Sequence, residues 1–388
     1  MIEAMLAGLG ALFEGGRFLL AHGGPNLIMI ALACAMFWLA IARGVEPLLL
    51  LPIGFGCLLA NLPLSDVMEP GGVLKTLYDF GIANELFPLL IFVGIGSMTD
   101  FSPLLANPRL LLFGAAGQLG IFITLLLALA LGFSKEEAVS VAAIGACDGP
   151  TVIYVSNLFA GLDRIPTSMV GALAVAAYSY MALVPVIQPP IMRLLTTSKE
   201  RQTPMPSMKG KTSKAALIAF PIVVTAITGI IAPKGLPLMG MIMLGNFMKV
   251  TGAVPRLAQA AENEIANVAT LFLGLAIGGT MAGNQFLTAE TLLVFALGLV
   301  AITIDTVGGI LLGKIWYVLS GGKVNPLVGA AGISAYPIAA RLVQTEGQRW
   351  NKHNTLLMHA MAANTGGQIG SVMAAAIMLS LLKGLGIL

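Results

Sequence analysis

Runs without a charged side chain set the pattern of this chain. They cover 18–42, 47–65, 110–134, 165–192, 215–233, 265–289 and 354–382. A membrane-spanning helix needs about 20 predominantly apolar residues, and each run is close to that length or longer. Gly and Pro interrupt several runs, which membrane helices tolerate because neighbouring segments satisfy the freed backbone groups. A transmembrane barrel would show segments of about ten residues with alternating polarity, and the runs do not alternate. The pattern predicts an all-α polytopic membrane protein with about nine to eleven membrane segments, broken or re-entrant helices included.

Composition agrees. Of 388 residues, 57% are apolar and 10% charged, against about 25% charged in soluble domains. Such a chain cannot cover itself with water-facing side chains, so most of its surface faces lipid or other helices. The net charge of +3 calls for no nucleic-acid partner. The placement of cations says more. Arg193, Lys199, Arg201, Lys209, Lys211 and Lys214 share one polar stretch with Glu200, and the positive-inside rule makes that stretch cytoplasmic. Arg43 follows the first strong span and is assigned to the same side, which puts the N-terminus outside. The first 20 residues lack a basic start and carry Glu3 and Glu14. They predict an amphipathic interfacial helix rather than a cleavable signal. Cys34, Cys57 and Cys147 lie in apolar or Gly-rich context and suggest neither a disulfide framework nor a metal site.

Four regions follow: an N-terminal membrane region (1–75), a first unit (76–193), a linker with connecting membrane segments (194–264) and a second unit (265–388). The two units look alike. One opens with Phe92-Val93-Gly94-Ile95-Gly96-Ser97-Met98, the other with Leu275-Ala276-Ile277-Gly278-Gly279-Thr280-Met281. Each continues through a long apolar run (110–134 and 291–313), a Gly-rich polar segment (145–151 and 329–334) and a closing apolar segment (165–192 and 354–382). Repeats of this kind are common in transporters, often inverted, with the site where broken helices meet. Inversion is the expected relation here, although sequence does not fix the orientation of the second unit.

Asp148 is the most informative residue. It stands in Ile144-Gly145-Ala146-Cys147-Asp148-Gly149-Pro150-Thr151 with apolar sequence on both sides. An acid at membrane depth is costly and marks ion or proton paths. Gly149-Pro150 breaks a helix there, and the freed carbonyls, the carboxylate and the Thr151 hydroxyl can cage a hard cation such as Na+. A helix end at the interface, with Asp148 in water, is the competing account. A second polar segment, 325–341, offers Asn325, Ser334 and close-packing glycines between Pro326 and Pro337. Arg341 at its end is either a snorkelling anchor or a guanidinium that receives a carboxylate. Tyr178 and Tyr180 lie midway along an uncharged run, where their hydroxyls need partners. The segment 364–371 interrupts another run and is expected to be a further broken helix. Asp305 is an additional intramembrane acid, and His359 reads as a packed or pore-lining residue.

These segments resemble a known family. Asp148-Gly149-Pro150-Thr151, 176–190 (AAYSYMALVPVIQPP), 325–341 (NPLVGAAGISAYPIAAR), 46–55 (EPLLLLPIGF) and 356–360 (LLMHA) are similar to the beta subunit of the sodium-pumping, biotin-dependent decarboxylases. That family acts on oxaloacetate, methylmalonyl-CoA, glutaconyl-CoA or malonate. The likeness covers roughly 26–383. It implies a membrane subunit that decarboxylates carboxybiotin, exports Na+ and consumes a proton drawn from outside. The implied partners are a carboxyltransferase subunit, a biotin carrier protein, a small gamma-type membrane subunit and further copies of the chain in a homo-oligomer such as a trimer. The implied setting is a bacterial or archaeal cytoplasmic membrane. By the same resemblance the family's functional Asp falls on Asp148 and its Tyr on Tyr180, with Tyr178 close by. Its later Asn, Gly, Ser and Arg fall on Asn325, Gly329, Ser334 and Arg341, and its last Asn on Asn364. The chain departs from the family at Ala146-Cys147 and Ala362-Ala363, where Gly-Ala and Gly-Pro are usual, and Asp305 has no functional counterpart there.

Tyr180, Arg341 and Asp148 are expected to serve the chemistry, and Arg341 and Ser334 to receive carboxybiotin. Asp148, Thr151, Asn325, Gly329, Ser334 and Asn364 are expected to hold Na+, with Tyr178 and Asp305 as additional candidates. Carboxybiotin loses CO2 readily once its carboxylate is desolvated and its ureido nitrogen can be protonated. Moving one charge outward against 100 mV costs about 2.3 kcal/mol, which an exergonic decarboxylation can supply. A secondary Na+-coupled transporter or Na+/H+ antiporter would share the repeats and the midplane acid, but not this whole set of motifs. A purely structural anchor would not need so many intramembrane polar residues.

Overall fold

The computed structural model describes residues 23–44, 46–63, 65–206, 212–384 and 386. The helix expected over 1–20, and Lys209 and Lys211 of the basic stretch, lie outside the described residues. Among the described residues, five unbroken helices and the composite stretch Pro108–Ala130 are long and apolar enough to cross a membrane, and a pair bent by 60°, Val73–Ile82 with Leu86–Met98, brings the number to seven where it counts as one span. The main helices of the first half are α1 (Gly24–Arg43), α2 (Pro47–Asn61), α3 (Leu86–Met98), α4 (Leu111–Ala116), α5 (Leu119–Ala130), α6 (Lys135–Ala142), α7 (Gly149–Ala160) and α8 (Thr167–Leu195). Those of the second half are α9 (Lys214–Ile231), α10 (Leu236–Thr251), α11 (Ala266–Gly279), α12 (Ala289–Leu319), α13 (Ile338–Trp350) and α14 (Leu357–Gly384).

Contacts between helix ends sort them onto two sides. At one end Lys249 Nζ donates to Met98 O (3.0 Å), Lys314 Nζ to Leu195 O (2.9 Å) and Asn325 Nδ2 to Arg201 O (3.0 Å). At the other, Asn61 Nδ2 donates to Met281 O (2.8 Å), Asn157 Nδ2 to Ile82 O (2.6 Å) and Tyr154 OH to Lys234 O (3.0 Å). The first end gathers Arg193, Lys199, Arg201, Lys214, Lys249 and Lys314, so the positive-inside rule makes it cytoplasmic.

Two segments enter and turn back without crossing. The first runs down α6, through a 3-10 turn at Ala143–Ala146, and returns as α7. Its two feet stand at the outer end, where Glu136 and Arg164 approach within 3.9 Å. A capping box of Ser134 and Glu137 starts α6, and Pro150 sits in the first turn of α7, where its missing N–H costs nothing. Cys147 (φ 52°) makes the reversal. The second segment rises as a 3-10 helix, Pro326–Gly332, turns through 333–337 and returns as α13. Its feet stand at the basic end, tied by Asn325 to Arg201 O and Thr203 O, and by Glu346 to Arg193.

Missing side chains let these segments pack backbone to backbone. A Cβ on Gly329 would lie 1.9 Å from Gly309 O of α12, and one on Gly309 would lie 2.1 Å from Gly329 O. This is the small-residue packing that membrane helices use in place of a hydrophobic driving force. Two large clusters dominate the core of the described residues, beside a small one of Val93, Met248, Ala258 and Ala261. The larger joins Phe113, Ile144, Leu173, Ile302 and Val372 around both returning segments. The other joins Met29, Ile53 and Leu273 of α1, α2 and α11.

One expectation is corrected here. The segment 364–371 does not break its helix: α14 runs continuously over Leu357–Gly384. The run contains no proline, and its glycines serve packing instead, since a Cβ on Gly367 would lie 2.3 Å from Gly332 O. The break that does occur falls at Gly117 and Gln118, inside the run 110–134, and separates α4 from α5.

Candidate functional site

The two turning points meet at a cavity of about 660 Å³. One supplies Cys147, Asp148 and Pro150, the other Ser334, Tyr336 and Pro337, with Arg341 from the first turn of α13. Tyr178 of α8 and Gln368 of α14 complete this wall. The facing wall belongs to the smaller of the two large clusters and its neighbours: Leu49, Ile91, Ile95, Asn267 and Thr270, with Glu46 and Glu262 as its acids.

Asp148 is 3% exposed, and its Oδ2 accepts from Thr151 Oγ1 at 2.6 Å. It precedes α7, so the positive end of that helix faces the carboxylate. Gly149 lets the Tyr178 ring approach, since a Cβ there would lie 2.2 Å from the ring. The Tyr178 hydroxyl, Gln368 Oε1 and Asn364 Oδ1 are buried without a partner among the described residues. Orphaned oxygens at membrane depth are costly unless a cation or water takes them. An oxygen-rich, partly anionic set of this kind suits a hard cation of low charge.

Three amide side chains hold the second turning point by its backbone. Gln188 Nε2 of α8 donates to Ala330 O (2.8 Å), Gln118 Nε2 to Gly332 O (3.2 Å) and Asn364 Nδ2 of α14 to Ile333 O (2.6 Å). Ser334 Oγ pairs with Ser371 Oγ at 2.6 Å. The carbonyls of 330–333 are free to accept because the 3-10 segment ends there.

The expected residues divide. Asp148, Tyr178, Ser334 and Arg341 line the cavity, Thr151 stands behind Asp148, and Asn364 adjoins through Ile333. Tyr180 faces away: its hydroxyl donates to Phe295 O of α12, and its ring leaves room only for Gly298. Asn325 is also elsewhere. Its Nδ2 serves Arg201 O and Thr203 O, and its Oδ1 accepts Leu327 N (3.0 Å), so it ties the linker to the foot of the segment. Gly329 packs on Gly309, and Asp305 sits behind the site with its Oδ1 on Gly120 N (2.5 Å). His359 Nε2 pairs with Pro206 O at 2.9 Å.

Gln118, Gln188, Gln368 and the wall acids Glu46 and Glu262 were given no role by the sequence reading. The two clamping glutamines did carry a signal: each is a polar amide inside an otherwise apolar run. At the basic end Glu346 is buried and accepts from Arg193 Nε (2.7 Å) and Nη2 (2.9 Å), Arg349 Nη1 (3.1 Å) and Trp350 Nε1 (3.1 Å). The Arg193 hydrogen bonds, above all, hold its carboxyl below the ordinary range.

With this geometry established, similarity to known proteins decides the family. The family described as the Na+-transporting oxaloacetate decarboxylase beta subunit matches residues 25–382, which include both turning points and the cavity. The chain belongs to that family. The methylmalonyl-CoA decarboxylase beta subunit of Veillonella parvula is 45% identical over 98% of this chain and 100% of its own length. The glutaconyl-CoA decarboxylase beta subunit of Acidaminococcus fermentans is 44% identical over 99% and 100%. The oxaloacetate decarboxylase beta chain of Klebsiella pneumoniae is 39% identical over 97% and 98%. The resemblance drawn from the motifs holds at the level of the family, and this beta subunit is a membrane component of a decarboxylase. The transporter alternative is not favoured.

Proposed function

We propose that this beta subunit decarboxylates carboxybiotin in the cavity and couples the reaction to Na+ export with uptake of a proton. The single observation that carries the reading is the meeting of Asp148, Tyr178, Ser334 and Arg341 in one cavity between two segments that enter from opposite ends. Opposed entry is also what an inverted pair of units produces, so we keep the two units at 76–193 and 265–388. Na+ is cargo here and carboxybiotin is substrate. Asp148, with the Thr151 hydroxyl and the orphaned oxygens of Asn364 and Gln368, takes the cation. Arg341 receives the carboxylate in bidentate fashion. In the reaction the bond from the ureido nitrogen to the carboxyl carbon breaks, its electron pair stays on nitrogen, and nitrogen takes a proton as CO2 leaves. The sequence reading gave proton delivery to Tyr180. Because that hydroxyl is engaged by Phe295 O, we move the role to Tyr178.

In this reading the carboxyltransferase subunit loads biotin on a carrier protein, and the carrier docks at the basic end. A small gamma-type membrane subunit and further copies of the chain complete the complex in a bacterial or archaeal cytoplasmic membrane. The decisive assay is decarboxylation of free carboxybiotin by the reconstituted complex with and without Na+. Turnover that ignores Na+, or its absence in an assembled complex, overturns the reading.

A further inference from the structure

The break between α4 and α5 interrupts the helical bonding at the start of α5: Ile121 N–H reaches back only to Gln118 O, at 3.2 Å, and Gly120 N–H turns outside its own helix. Asp305, from the middle of α12, answers it across the helix interface. Its Oδ1 accepts Gly120 N at 2.5 Å. Asp305 is 0% exposed, and Gly120 has no side chain to intrude, since a Cβ there would lie 2.1 Å from Ala301 O. A carboxylate at a helix N-terminus is favoured by the free N–H groups and the helix dipole. Here the cap comes from a different helix, at a depth where water cannot replace it.

The capped break is the surface on which both turning points rest. A Cβ on Gly117 would lie 2.3 Å from Gly332 O, and Gln118 donates to that same oxygen at 3.2 Å. Gly332 is two residues before Ser334. On the other side, a Cβ on Gly145 would lie 3.0 Å from Ile121 N, and Gly145 is three residues before Asp148. The segment 117–121 therefore sits between the two turning points, in close backbone contact with both.

We propose that Asp305 is a positioning residue for the ion site: by capping α5 it fixes the α4–α5 break and, through Gly332 and Gly145, the oxygens of both turning points. Asp305 does not line the cavity. The inference rests on the proposed function only for its readout.

The test uses the purified, reconstituted complex carrying Asp305→Leu or Asp305→Asn. Decarboxylation is measured against Na+ concentration, and assembled complex is quantified by size-exclusion chromatography. Leu removes the acceptor, whereas Asn keeps a carbonyl oxygen for Gly120 N–H. The expected result is a roughly ten- to hundredfold rise in half-saturating Na+ for Leu, the size of effect seen for outer partners of a bound cation. Asn should restore most of it. If Leu does not assemble, Asp305→Thr takes its place, because its hydroxyl turns back onto its own helix and cannot reach α5. Its half-saturating Na+ should rise in the same way. An assembled Leu or Thr variant with unchanged half-saturating Na+ overturns the proposal, as does an Asn variant shifted as far as the others. Loss of Na+ dependence in the wild-type complex itself would count against the proposed function instead.

Discussion

Asp148 and Ser334 stand at the turning points of two segments that enter from opposite ends, and both line one cavity. A helix that crossed the membrane would put one residue at that depth with its backbone sealed. Two turning points instead bring loosened carbonyls, a carboxylate and hydroxyls together where water is scarce.

Replacing Asp148 with Asn removes the anionic oxygen and keeps the shape. Asp148 contacts the cavity directly, so the change should cost at least the roughly 10–100-fold in Na+ affinity that outer partners of a cation cost. Na+-stimulated decarboxylation should vanish at ordinary Na+ concentrations while the complex still assembles. Normal Na+ pumping by this variant in proteoliposomes would falsify the assignment.

Arg341 lines the cavity toward the basic end and is exposed. Hydrogen bonds to charged groups contribute about 1.5–3 kcal/mol, so Arg341→Ala should raise the apparent KM for carboxybiotin roughly 10–100-fold. The half-saturating Na+ should stay near its wild-type value. Steady-state rates over a grid of both concentrations separate the two. A rise in the Na+ requirement alone would place Arg341 on the ion path.

The helix break at Asp148 is legible in the sequence, and the placement of several other candidates is not, for physical reasons. An acid beside Gly149-Pro150 within apolar sequence marks a helix break whatever the fold, so Asp148 stood out. The choice between Tyr178 and Tyr180 did not. Two residues apart on a helix is about 200° of rotation, so one hydroxyl meets the cavity and the other meets Phe295 O. Asn325 looked like a ligand because it is a polar residue at the start of a motif. Its partners Arg201 and Thr203 are 124 and 122 residues away in sequence, and no local pattern announces them. The glycines of α14 looked like a break because close packing and helix breaking use the same residue.

Tyr178→Phe and Tyr180→Phe separate these two roles. Loss of the Tyr178 hydroxyl should lower the maximal decarboxylation rate by about 10²–10⁴-fold, the usual range for a positioned proton donor, with assembly unchanged. Loss of the Tyr180 hydroxyl removes a second hydrogen bond from Phe295 O, which keeps its partner within α12, and should act on stability, by about 0.5–1.5 kcal/mol. Rates and thermal midpoints of both variants decide it. A rate defect confined to Tyr180→Phe would return proton delivery to that residue.

Glu346 gives the basic end a dependence on pH. Its carboxyl is held below the ordinary range, chiefly by hydrogen bonds from Arg193. A depressed pKa contributes stability that is fully present above the unfolded value and is lost as pH falls through the folded value. Acidification into that range should therefore loosen the tie between α8 and α13 before the buried glycine contacts give way. Glu346→Gln should remove this acid-sensitive part and be less stable than wild type at neutral pH. Thermal midpoints of the two proteins measured from neutral to acidic pH should converge. A constant gap at every pH would show that Glu346 contributes no titrating interaction.

Gly329 decides between a ligand and a packing role. The sequence reading placed it among the Na+ ligands, but in the structure it abuts Gly309, where an added Cβ would meet backbone at 1.9 Å. Backbone on a packed helix cannot yield as a flexible side chain can, so Gly329→Ala should behave as overpacking and cost roughly 1–3 kcal/mol or more. Gly240 is the control. It lies inside α10 with nothing within 4 Å of its added Cβ, so Gly240→Ala should be neutral or stabilise by up to about 1 kcal/mol through helix propensity. The measurement is the thermal midpoint of the detergent-purified protein, followed by half-saturating Na+ of whatever remains assembled. A packing role predicts a lowered midpoint for Gly329→Ala and none for Gly240→Ala. An unchanged midpoint with a raised Na+ requirement at Gly329→Ala would instead make its carbonyl part of the ion site.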